Sequence, residues 1–205
     1  MRYPAATWRP GPLEKTGYPG IPHRTGKGAV LHSMEGPLAA GLGELDRLDR
    51  RASWCFSNPK TGPLLQHFEH DTVTWHGGGV QANSQFIGIE HEGVAGQQLT
   101  ENQITNVVGL LRWLGDVESW PGFERQVTLW EHNEMTRFGS APTACPSHRI
   151  PWDRIIAELE DDMTDAEKAE LATRRMMDDL IGTILSGNLP LVMAKLVYLG
   201  VKVPA

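Results

Sequence analysis

The sequence predicts an α/β fold, a central sheet with helices on its faces, for most of its 205 residues. Strand-like runs alternate with helical apolar stripes as far as about residue 160, the pattern of helices laid against a sheet. Past that point the chain reads as helical only, and no internal repeat is visible. Hydrophobic residues make up 40% and charged residues 21%, the balance of a chain with a packed core.

Residues 1–27 are dense in Pro and Gly and read as an irregular arm over the surface. GAVLH (28–32) is a short buried strand ending on His32. PLAAGLGELDRLDR (37–50) sets Leu38, Leu42, Leu45 and Leu48 at helical spacing despite two glycines. ASWCFS (52–57) and PLLQHF (63–68) read as strands joined by the turn Asn58-Pro59-Lys60-Thr61-Gly62. SQFIGIEHEG (84–93) is a further strand. Thr100 and Gln103 form a capping box, opening a helix with the stripe Ile104, Val107, Val108, Leu111 and Leu114. VTLW (127–130) is a strand leading into His132. Pro151 starts the helix PWDRIIAELE. Thr164 with Glu167 starts another, running to about Ser186, before Asn188 and Pro190 break it. Three segments follow: an arm (1–27), an α/β domain (28–160) and a helical extension (161–205).

A formal charge of −6 leaves no basic footprint for phosphates, which argues against nucleic acid as a partner. The most apolar run, Leu189 to Val201, carries Pro190 and Lys195 and falls short of the roughly 18 residues of a membrane span. MRYPAATWRPGP lacks the apolar core of a signal peptide, so the expectation is a chain made in a cytoplasm and held there until something else releases it. Cys55 and Cys145 allow one disulfide at most. In a reducing compartment a cysteine near histidines reads instead as a ligand or a nucleophile.

His32 ends the first predicted strand, His132 follows the last, and Cys145 lies in the loop beyond. A catalytic zinc site takes three protein ligands and keeps a fourth position for water, and two imidazoles with one thiolate fit that pattern. From spacing alone this reading and three separately explained residues stand level, because no Cys-x-x-Cys pair is present. His67 and His70 span a strand end and a turn, where two side chains need not converge. His148 reads as exposed, and Cys55 as a small buried apolar group. Gly20 to Lys27 misses P-loop spacing, and there is no G-x-S-x-G elbow.

LHSMEG (31–36), Trp-His-Gly (75–77), GIEHEG (88–93) and PTACPSHRIPW (142–152) occur in this order. Together they resemble the zinc-dependent type 2 N-acetylmuramoyl-L-alanine amidases, a family that includes bacteriophage lysins and peptidoglycan recognition proteins. The resemblance covers about residues 28–158, and the T-x-C-P segment is its most specific part. It implies one Zn²⁺ per chain on His32, His132 and Cys145, with Glu90 as the catalytic carboxylate. Thr143 stands where several members carry a lysine that steadies the oxyanion. Trp75 and His76 fall where the family builds a wall of its substrate groove. The implied partner is peptidoglycan, cut at the amide between the lactyl group of N-acetylmuramic acid and L-alanine.

The implied setting is a phage lysin waiting in the host cytoplasm; a bacterial cytoplasmic enzyme recycling muropeptides shares the chemistry. A recognition module that binds without cutting is the alternative from another class. Such members typically lose the cysteine ligand, and Cys145 is present. For residues 161–205 two readings stand: a helical pair packed on the domain, or an element for homo-oligomerisation or wall binding.

Overall fold

Parallel pairing at the centre of one mixed sheet decides where everything else sits. The computed structural model describes residues 1–21, 23–161 and eight scattered positions from Thr173 to Val192. Its strands are β1 (Thr7–Trp8), β2 (Gly28–Ser33), β3 (Phe56–Asn58), β4 (Leu65–Gln66), β5 (Phe86–His91) and β6 (Leu129–Glu131), in the order β1-β4-β3-β5-β2-β6. β2 and β5 pair parallel from Gly28↔Phe86 to Ser33↔His91, with His32 opposite Glu90. Both are almost wholly buried, which is why GAVL and FIGI read as continuous apolar runs rather than alternating ones. β6 joins β2 and β3 joins β5, both parallel, and β3 with β4 is antiparallel.

Side chains alternate across this sheet with period 2. Ala29, Leu31, Ile87, Ile89 and Leu129 enter the main core. The helices are α1 (Leu38–Asp46), α2 (Val80–Gln85), α3 (Glu101–Glu118) and α4 (Trp152–Asp161). α3 supplies Ile104, Val107, Val108, Leu111 and Leu114 to that core, and α4 supplies Ile155 and Leu159. Val30, Phe86 and Trp130 form a smaller cluster with Ala82 of α2 and Met135. His32 and Glu90 share the parity of Val30 and Phe86, so they emerge on the side of this lesser core.

The capping box of α3 forms as expected, with Thr100 Oγ1 accepting from Gln103 N and Gln103 Oε1 from Thr100 N. Gln103 is buried, and its amide also donates to the carbonyls of Asn58 and Glu92, tying the helix start to the ends of β3 and β5.

Several boundaries differ from the sequence expectation. The arm is not merely laid over the surface: its Thr7–Trp8 pairs parallel with β4 and becomes the edge strand. Its Lys15 is 1% exposed and donates from Nζ to the carbonyls of Glu44, Leu45 and Arg47 at 2.8, 2.9 and 3.0 Å. This buried ammonium caps α1, whose last carbonyls would otherwise lack partners. The helix therefore stops at Asp46, and Leu48, expected on its apolar stripe, is exposed. Ser84 and Gln85, expected in a strand, belong to α2, and the last strand lies at Leu129–Glu131 instead of 127–130.

By internal contacts the chain divides into two compact units, Met1–Leu159 and Glu160–Ala205. The helix expected from Thr164 falls mostly outside the described residues, as do Ala169 and Ala172 of its stripe. The described positions from Thr173 to Ile184 are helical. The expectation of oligomerisation or wall binding by this segment also lies outside the described residues. Among those described, no helix is long and apolar enough to cross a membrane.

Replacing Lys15 by Met strips three carbonyls of their donor while keeping the stem's volume. A loss of about 2 kcal/mol in urea unfolding is expected, and unchanged stability would show that the cap is dispensable.

Candidate metal centre

β2, β5 and β6 run parallel, so their carboxyl ends share one edge, the usual place for sites in open α/β sheets. His32 is the penultimate residue of β2, Glu90 lies beside it in register on β5, and His132 follows β6 directly. One donor atom from each of His32, His132 and Cys145 lies within 4.8 Å of the others. The two imidazole centroids are 4.5 Å apart, and Cys145 Sγ is 3.9 Å from His32 Nδ1. The three residues the sequence grouped are thus brought to one point.

Local structure fixes each of them. His132 opens a 3-10 helix, His132–Phe138, whose own capping box joins Glu131 and Glu134. Arg125 holds Glu134 at 2.8 Å, and Trp152 Nε1 donates to Glu131 Oε1 at 2.6 Å. The cysteine loop docks through Asn133 N to Cys145 O at 2.9 Å, and Ser33 N donates to Cys145 Sγ at 3.2 Å. Arg149, 1% exposed, reaches back from the same loop. It donates to Ser33 Oγ at 2.7 Å and to the carbonyls of Gln97 and Glu92, both at 2.8 Å. Nothing in the sequence marks Arg149 as buried, since a loop arginine carries no periodicity.

Electrostatics favour a cation here. Burial, and then the neighbouring imidazoles of His132 and His76, hold His32 well below the usual histidine range. Burial lowers His132 as well. Both rings are therefore neutral, as ligands must be. Burial and the charge of Glu90 push the Cys145 thiol up to about 12. Burial, with Glu35 adding to it and Arg149 opposing, pushes Glu90 up to about 8. Among the described residues Glu90 Oε2, which is buried, has no hydrogen-bond partner, and Oε1 lies 3.8 Å from His32 Nδ1. A divalent ion would relieve both acids, since a nearby dication inverts the cost of their charged forms. Two imidazole nitrogens and one sulfur are donors that suit Zn²⁺.

The profile of the Amidase_2 family, N-acetylmuramoyl-L-alanine amidase, matches residues 22–148. The chain belongs to this family. The family's activity, hydrolysis of peptidoglycan at its N-acetylmuramoyl-L-alanine amide, is accordingly that of this amidase. The fold agrees with those of solved relatives. A mutant endolysin from Bacillus subtilis is 20% identical over 75% of this chain and 97% of its own, with a TM-score of 0.58. The Staphylococcus aureus hydrolase AmiA is 14% identical over 78% and 84%, with a TM-score of 0.59. No curated protein matches by sequence. Residues 1–21, with β1 and Lys15, and all of α4 lie outside the matched span.

The remaining candidates in the amidase are placed as follows. Trp75 lines a surface pocket of about 500 Å³ with Tyr18, Arg51 and Gly79, and its Nε1 donates to Gly17 O. His76, expected beside it on the groove wall, is turned inward, 7% exposed, with Nδ1 3.1 Å from His32 Nε2. Gly88 makes that possible, because a Cβ there would lie 2.5 Å from His76 Cγ. Thr143 is half-buried, and its Oγ1 accepts from Cys145 N, leaving the hydroxyl proton free to donate. His67 and His70 do not converge. His67 is spent between Ser57 Oγ and Arg9 O, both at 2.8 Å, while His70 faces Glu118. Cys55 and Cys145 are both free, and Cys55 is fully buried.

The raised Glu90 has a consequence for the metal-free chain. A carboxyl at about 8 when folded and 4.5 when unfolded contributes stability below pH 4.5, lost as pH rises through 8. Glu90→Gln removes that loss, so its metal-free form should exceed the wild type at pH 8 by roughly 4 kcal/mol and match it near pH 4.5. Parallel urea midpoints across this range would contradict the assigned burial of charge.

Proposed function

We propose that the amidase is zinc-dependent, with His32, His132 and Cys145 holding one Zn²⁺ and Glu90 moving the proton. The observation carrying this is the trio of donor atoms within 4.8 Å beside a carboxylate whose buried Oε2 has no partner among the described residues. Zn²⁺ bound there would supply a Lewis acid for the scissile carbonyl and acidify the attacking water.

Glu90 takes that water's proton at Oε1, the oxygen nearer His32, as the new C–O bond forms. It then delivers the proton to the leaving L-alanine nitrogen as the C–N bond breaks, so the residue ends as it began. The Thr143 hydroxyl donates a hydrogen bond to the developing oxyanion and keeps its proton, a neutral and weaker donor than a lysine. Trp75, on the wall of the 500 Å³ pocket, packs against the muropeptide. Intact cell-wall peptidoglycan is the substrate we assign, in the role of a phage lysin, and the likeness to an endolysin fold supports it.

Digestion of purified sacculi by the wild type should release new L-alanine amino groups. Glu90→Ala should retain about one zinc per chain and lose about 10²–10⁴ in rate, and Cys145→Ser should lose metal and activity together. Wall binding without new amino groups would favour a recognition module. Cleavage of soluble muropeptides but not sacculi would favour recycling.

A further inference from the structure

The hydrogen bonds behind His32 allow only one distribution of protons. The carbonyl of Phe86 can only accept, so His76 Nε2, 3.0 Å away, carries its ring's proton. In the neutral ring Nδ1 is then a bare acceptor. The atom facing it at 3.1 Å is His32 Nε2, which must donate. His32 is left with its lone pair on Nδ1, the nitrogen that looks towards Cys145 Sγ at 3.9 Å and Glu90 Oε1 at 3.8 Å. The opposite arrangement, with a proton on His76 Nδ1, would put the His32 proton on Nδ1 and close the donor to a cation.

Backbone holds this relay rigidly. Phe86 and Gly88 both belong to β5, which pairs with the strand carrying His32. The missing side chain of Gly88 is the seat of the His76 ring, where a Cβ would meet Cβ and Cγ of the histidine at 2.7 and 2.5 Å. His76 also crosses His32 edge-on, with centroids 5.2 Å apart and planes at 89°.

We infer that His76 is a positioning residue, fixing His32 in the tautomer whose Nδ1 accepts a cation. This rests on the metal reading of the site proposed above. It assigns the histidine of the Trp-His-Gly motif to the back of a ligand rather than to the substrate. The proton bookkeeping balances without any group outside the chain, since each N–H in the row donates to the next acceptor and the row ends on a backbone carbonyl.

Zinc affinity, by competition with a chromophoric chelator, separates three full-length variants. His76→Phe keeps a ring but offers no acceptor and should bind zinc about 10- to 100-fold more weakly than wild type. His76→Asn, whose Oδ1 falls near the position of Nδ1, should stay within about threefold. Equal affinity of His76→Phe and wild type, or equal losses in both variants, overturns the assignment. Nitrogen-15 spectra of the wild-type imidazoles give a readout free of activity: a proton on Nε2 of His32 supports it, and one on Nδ1 overturns it. Should His76→Phe fail to fold, those spectra decide alone. If the wild type takes up no zinc, the metal reading falls, while the tautomer is still decided by the spectra.

Discussion

The register of one parallel strand pair is the constraint on which the molecule depends. With β2 and β5 aligned from Gly28↔Phe86, His32 stands opposite Glu90 on the same face. A slip of one residue in either strand would turn its own site residue into the main core and bring Leu31 or Ile89 out in its place. The apolar residues at 29, 31, 87 and 89 therefore hold the geometry of the candidate site as well as the core. Hydrophobic burial, which is non-directional, becomes directional here because side chains alternate along a strand.

A second constraint is electrical. The site gathers two neutral imidazoles, a thiol and a carboxyl at a partly buried sheet edge, and burial opposes the charged form of every one. Structure bears this cost through fixed hydrogen bonds. Ser33 is the junction, with its N–H on Cys145 Sγ and its Oγ on Arg149, whose other N–H groups end on carbonyls. A cysteine loop without regular structure is thereby pinned to the sheet. The same arginine keeps a positive charge near Glu90, opposing the burial that raises it. These bonds satisfy the loop, while among the described residues buried Glu90 Oε2 keeps no partner.

Much of the outline was legible. Continuous apolar runs gave β2 and β5, the Thr100–Gln103 box and its stripe gave α3, and Pro151 preceded α4. Short elements were less visible: α2 has six residues and β1 two, too few for a period to emerge. The end of α1 is not legible in the sequence because its cap comes from Lys15, 29 residues before Glu44, and no local signal announces a cap from that distance. His67 illustrates the reverse, a histidine in an apparent metal motif whose nitrogens are spent on Ser57 and Arg9.

Sequence by itself determined the types and order of the donors: two histidines after strands, a cysteine in a Pro-flanked loop, and a glutamate inside a strand motif. Those choices are local, written in residue chemistry and period. Only tertiary structure decided which nitrogen of His32 faces inward and what stands behind it. His76 passed from groove wall to the back of His32 because Gly88, on a different strand, leaves space for its ring. Proton positions and partners across 44 residues depend on which backbones lie side by side, and one chain's residue order does not contain that distance.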